Sequence, residues 1–137
     1  MGAFCFVSLF PEYFEAAMRS SILGRAVASG TLAYQFVQIR DFSEDKHRRV
    51  DDAPYGGGPG LVMKPEPLVG AIEHARDLCG GGHVVLMSPQ GTPFNQREAL
   101  RLSKIDKPLI LFADITKASM NASSPTSMKN FPSVISF

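Results

Sequence analysis

The sequence predicts an α/β fold, a mainly parallel sheet with flanking helices. Short continuous apolar runs at residues 3–9, 83–87 and 109–112 suit strands covered on both faces, and amphipathic helical stripes lie between them. Alternation of such strands with helices gives a parallel sheet, whose ligands gather at the carboxyl ends of the strands. The tetrapeptide Ser88-Pro89-Gln90-Gly91 directly follows one of these runs.

The first run, Ala3 to Leu9, reads as a buried strand, and Pro11 fits the first turn of a helix, where its missing N–H costs nothing. Phe10, Phe14 and Ala17 or Met18 recur at helical spacing as a core face. A second helical piece from Leu23 to Ala28 is expected to end at Gly30. Leu32, Tyr34 and Phe36 alternate within Thr31 to Ile39, the pattern of a strand. Arg40 to Gly60 is polar and without period, a loop long enough to suggest function or disorder.

Leu68, Ala71, Ile72, Ala75, Leu78 and Cys79 form an apolar stripe, with Pro67 early and Gly80, Gly81 and Gly82 as stop signals. His83 to Met87 is a buried-strand candidate, and SPQGTPF reads as a turn. Asn95, with Glu98 three residues on, resembles a capping arrangement opening a helix through about Lys104. Pro108 then precedes a strand at Leu109 to Phe112.

With 137 residues, 45% hydrophobic and 20% charged, the chain is long enough for one packed core. A formal net charge of +1 carries no global signal for nucleic acid, so RNA contacts would have to come from local clusters. Two isolated cysteines, Cys5 and Cys79, form neither a disulfide framework nor a four-ligand zinc site, which points to a reduced, cytoplasmic setting. No apolar run approaches the roughly 20 residues needed to span a membrane.

The composition breaks after Phe112. Residues 113–137 contain no Leu, Gly, Glu or Arg, and six of the 25 are Ser, so the stretch reads as a disordered tail behind a domain of residues 1–112.

Two segments carry candidate chemistry. In the loop, Tyr55, Gly56, Gly57, Gly58, Pro59 and Gly60 permit close approach of backbone to a ligand, although without a P-loop's Lys-Ser or Lys-Thr the glycine run by itself reads first as structural. Lys46, His47, Arg48 and Arg49 are flanked by Glu44, Asp45, Asp51 and Asp52, so a self-paired solvated face is preferred over a phosphate site. His47, His74 and His83 lack a recognisable partner and read as ordinary polar residues. Ser88 has no identifiable base and is a poor nucleophile candidate. The Ser88–Gly91 backbone, at the end of a strand, suits an adenine or ribose.

SLFPEYF, GRAVASG, RDF, HRRVDDAPYGGGPGLVMKPEPL and LMSPQG follow in order the pattern of the bacterial tRNA (guanine-N(1)-)-methyltransferases, the TrmD family, which this chain resembles from Met1 to about Phe112. The resemblance implies the incomplete N-terminal part of a trefoil-knot methyltransferase domain. It also implies S-adenosyl-L-methionine as methyl donor, tRNA as partner, a homodimer whose two subunits build each site, and methylation of N-1 of the guanine 3′-adjacent to the anticodon. Carried over by position, Met87, Ser88, Pro89, Gln90 and Gly91 correspond to the first cofactor-contacting loop of the knot. Tyr55 to Gly60 correspond, more loosely, to the dimer and substrate side. No catalytic residue and no metal ligand set is assigned within the chain.

Members of that family continue past a strand like LILF into CGxYEGIDER. Restoring one T after the Phe112 codon lets permitted codons for Ala113 to Phe137 read CGHYEGIDERIIPNVDEEFPIGDFV, and Met120 and Met128, with one codon each, force Glu at the next codon in both places. The tail is therefore expected to be out of frame, and the printed chain inactive. The contrasting reading is a non-catalytic fragment, pseudogene product or weak binding module. An unrelated α/β nucleotide-binding domain is a third, against which the absence of GxGxxG and of a Walker lysine counts.

Overall fold

A computed structural model of the chain describes residues 2–49, 51–52, 62–63, 65–112 and 133–136. β1 (Gly2–Ser8), β2 (Leu32–Gln38), β5 (His83–Pro93), β6 (Leu109–Phe112) and β7 (Ser133–Ser136) form one sheet in the order β2-β1-β6-β5-β7, and every pairing in it is parallel. A separate antiparallel pair joins β3 (Asp51–Asp52) to β4 (Val62–Met63). The helices are α1 (Pro11–Met18), α2 (Ser21–Ala28), α3 (Pro65–Cys79) and α4 (Gln96–Ser103), with a 3-10 turn at Ile39–Phe42. The α/β fold with a parallel sheet and flanking helices is thus present.

Both faces of the sheet are covered, which is why its central strands read as unbroken apolar runs. On one face Cys5, Val7, Val84, Leu86, Ile110 and Phe112 pack with Leu68, Ala71 and Ala75 of α3. The intervening residues point the other way, as the two-residue strand period demands: Val85, Met87, Leu109 and Leu111 meet Leu102 and Ile105 at α4. Further along that face Phe6 stacks on Phe14 of α1 at 4.8 Å and on Phe36 of β2 at 5.6 Å.

The helix ends follow local chemistry. After α2, Gly30 at φ +76° lets its own N–H reach Val27 O at 3.1 Å and the Thr31 N–H reach Ala26 O at 3.0 Å, a Schellman stop. After α3 the same device recurs: Gly80 at φ +68° precedes Gly81, whose N–H bonds Arg76 O at 2.8 Å. At α4 the Asn95 side chain accepts from Glu98 N at 3.0 Å, as expected, but the Glu98 carboxylate turns to Arg101 rather than completing a reciprocal box.

Several expectations shift. α2 begins at Ser21 and α3 at Pro65, each earlier than the apolar stripe because the first turn of a helix need not be apolar. Leu78 is exposed, at the margin of the stripe in the last turn of α3. Phe10 caps α1 and is also exposed, while Phe14 and Met18 carry the core face. The stretch 40–60 is not wholly irregular, since a 3-10 turn opens it and β3 falls within it. SPQGTP falls within the span of β5, because Thr92 and Pro93 pair with β7 and so resume the strand beyond the expected turn. β7 itself comes from residues read as a disordered tail, an expectation that does not hold for Ser133–Ser136.

Candidate functional site

β5 carries the site to the carboxyl edge of the sheet. Leu86 pairs with Phe112 of β6, and Phe112 pairs with Val7 of β1, so residues from Met87 onward extend beyond the last paired residue of β6. There the strand makes an excursion: Ile135 of β7 is the register partner of both Met87 and Thr92, so Ser88, Pro89, Gln90 and Gly91 are looped out between two pairings with one residue. A chain bowed out in this way leaves the even ladder and presents its own N–H and C=O groups elsewhere. Met87 anchors the near end in the apolar layer under α4, and Gly91, half-buried, closes the far end.

The carboxyl ends of β1 and β2 are locked together. Ser8, buried at the end of β1, accepts from Phe10 N at 3.0 Å, and Gln38 at the end of β2 donates from Nε2 to Leu9 O at 3.0 Å. These bonds fix the turn from β1 into α1 at the carboxyl edge of the sheet.

β5 also enters a polar cluster that sequence reasoning passed over. At the start of β5, His83 Nε2 lies 2.7 Å from Ser133 Oγ, and Arg101 of α4 donates to the same oxygen at 2.8 Å. Arg101 can only donate, so Ser133 Oγ accepts from it and keeps its own hydrogen to offer to Nε2 of a neutral imidazole. His83 is held below its usual pKa by burial first and then by the charges of Arg101 and Lys107. Arg101 also pairs with Glu98, whose carboxyl is lowered mainly by that hydrogen bond, against an opposing effect of burial. His83 and Ser133 are 50 residues apart, and no local pattern marks the pairing.

The remaining candidates are dispersed. Tyr55 to Gly60 lie outside the described residues, but β3 and β4, which flank them, pair antiparallel and so bring the two ends of that segment together. The basic cluster is paired within its own loop, Arg48 with Asp41 and Arg49 with Asp45, both at 3.6 Å. His74 rests against Phe42 at 5.2 Å between ring centres, and His47 is exposed. Among the described residues no three His, Cys, Asp or Glu side chains converge as metal ligands, and no helix is long and apolar enough to cross a membrane.

The model of the family described as tRNA (Guanine-1)-methyltransferase TrmD matches residues 3–115. Among curated proteins named tRNA (guanine-N(1)-)-methyltransferase, that of Caldanaerobacter subterraneus is 50% identical over 105 residues, 77% of this chain and 43% of the relative. That of Pelotomaculum thermopropionicum is 52% identical over 100 residues, 72% of this chain and 40% of the relative. That of Staphylococcus aureus is 45% identical over 101 residues, 74% of this chain and 41% of the relative. The chain thus spans about two fifths of the length of these relatives. With the matched residues running from β1 through the end of β6, the chain belongs to the tRNA (guanine-N(1)-)-methyltransferase family.

Proposed function

We propose that this chain is the front part of an enzyme that methylates N-1 of the guanine 3′-adjacent to the anticodon of tRNA, with S-adenosyl-L-methionine as donor. The observation that carries the reading is the placing of Ser88–Gly91 just past the last residue of β5 paired with β6, at the carboxyl edge of a parallel sheet, in a chain of this family. Met87 to Gly91 would hold one side of the cofactor through backbone groups, and Tyr55 to Gly60 would line the substrate and dimer side. The cofactor supplies an electrophilic methyl group on a sulfonium. The protein's task is to hold that carbon in line with guanine N-1 while a base removes the N-1 proton, which is positioning and acid–base work. No residue of this chain is assigned as that base. The protein is expected to act in the cytoplasm as a homodimer.

We further propose that residues 113–137 are the family's cofactor motif read in the wrong frame, through loss of one base in a T-rich stretch at Phe112. The family match, ending at residue 115, supports this. On this reading the printed chain is a non-catalytic fragment. The gene's nucleotides decide it: a one-base change at Phe112 should restore YEGIDER, and no such change would sink the idea.

Cofactor binding tests the site. Isothermal titration of the frame-restored protein with S-adenosylhomocysteine should saturate, and Gly91→Val should weaken it by about tenfold or more, about 1.4 kcal/mol, without unfolding the protein. Unchanged affinity in a folded variant would place the cofactor elsewhere.

A further inference from the structure

We propose that Cys5 and Cys79 form an oxidisable dithiol, which an external disulfide converts into an intramolecular crosslink stapling β1 to the end of α3. Both are free thiols, far apart in sequence and packed together in one core layer.

The geometry follows from the stripe of α3. Ala71 and Ala75, both fully buried, have no bulk beyond Cβ and let the helix settle close on the sheet. Cys79 is the next position on that stripe, one helical turn beyond Ala75, and so comes down on the core layer that holds Cys5 in the middle of β1. The two thiols are near enough to act on each other's ionisation. A crosslink requires the sulfurs to close to a bond of about 2.05 Å. Cys79 is the last residue of α3, and the left-handed Gly80 directly after it already turns the chain away, so its side chain can adjust without unwinding the helix.

The two sulfurs divide the chemistry by access. Cys5 is fully buried, and burial, the Cys79 charge and the hydrogen bond to Cys79 push its pKa up to about 12. Cys79 is half-buried at the sheet margin and meets the oxidant first. With glutathione disulfide, the Cys79 thiolate attacks one sulfur, forming a Cys79–glutathione disulfide and releasing one glutathione thiolate. The Cys5 sulfur then displaces the second glutathione, whose sulfur takes up the Cys5 proton. Two thiols are oxidised and one disulfide is reduced, so the step balances. Capping Cys79 also removes the neighbouring charge that opposes ionisation of Cys5.

The test equilibrates the full chain with reduced and oxidised glutathione, quenches with acid, and reads intact mass and a non-reducing peptide map. The expected product is a monomer lighter by two hydrogens in which the peptides bearing Cys5 and Cys79 are joined. Its effective thiol concentration should be about tenfold or more higher in native buffer than in concentrated urea, because the fold holds the partners together. Cys79→Ser should abolish the joined species and leave Cys5 unreactive until the chain unfolds. Reaction that stops at glutathionylated Cys79, crosslinks only between molecules, or an effective concentration no higher in native buffer than in urea overturns the proposal.

Discussion

Gly82 leads into β5, and a Cβ built there would meet Ile110 Cδ1 at 2.6 Å, Ile110 Cγ1 at 2.9 Å and Pro108 O at 3.2 Å. Ile110 is fully buried in the central strand and cannot retreat, so Gly82→Ala should destabilise the fold by about 1–3 kcal/mol, read from the urea midpoint. An unchanged midpoint would mean that the strand tolerates the shift. Asn95 acts differently, by satisfying an otherwise orphaned amide at the start of α4. Asn95→Ala should cost about 1 kcal/mol, while Asn95→Asp should retain most of the stability because its oxygen still accepts. The capping pair was legible in the sequence because it is local. The Gly82 constraint was not, since the glycine cluster announces a helix stop and says nothing of the side chain that fills the space beside it.

β7 is held on β5 by strand pairing and by the Ser133 contacts to His83 and Arg101. His83 has its pKa lowered in the folded chain, so the unfolded chain binds more protons there as the pH falls below about 6.5. Its contribution to stability is therefore present above that pH and declines below it. The wild-type urea midpoint should fall between pH 7.5 and pH 5.5, and the fall should be smaller in His83→Gln; an equal fall would remove His83 as its source. The central strands were legible as apolar runs because burial on both faces leaves no alternation to confuse. The length of β5 was not, because Pro89, Gly91 and Pro93 carry turn chemistry and only a partner some fifty residues downstream draws the backbone back into the sheet. The same long-range dependence hid β7, whose residues have no apolar period of their own.

Across the whole molecule, a parallel sheet with helices on both faces brings β1, β6 and β5 to a common carboxyl edge, and the Ser88–Gly91 excursion stands beyond it. The position of that segment at the carboxyl edge of the sheet was readable from the sequence, as was the family, because LMSPQG and VDDAPYGGGPG are long specific strings. The bowed shape was not readable, since it depends on Met87 and Thr92 sharing one partner in β7. The most direct measurement is labelled-methyl transfer from S-adenosyl-L-methionine to tRNA bearing guanine 3′ of the anticodon, by the frame-restored protein and the printed chain in parallel. Transfer by the restored protein to N-1 of that guanine, with none by the printed chain, is the predicted result. No transfer by a folded, restored protein, or transfer to another position, would contradict it.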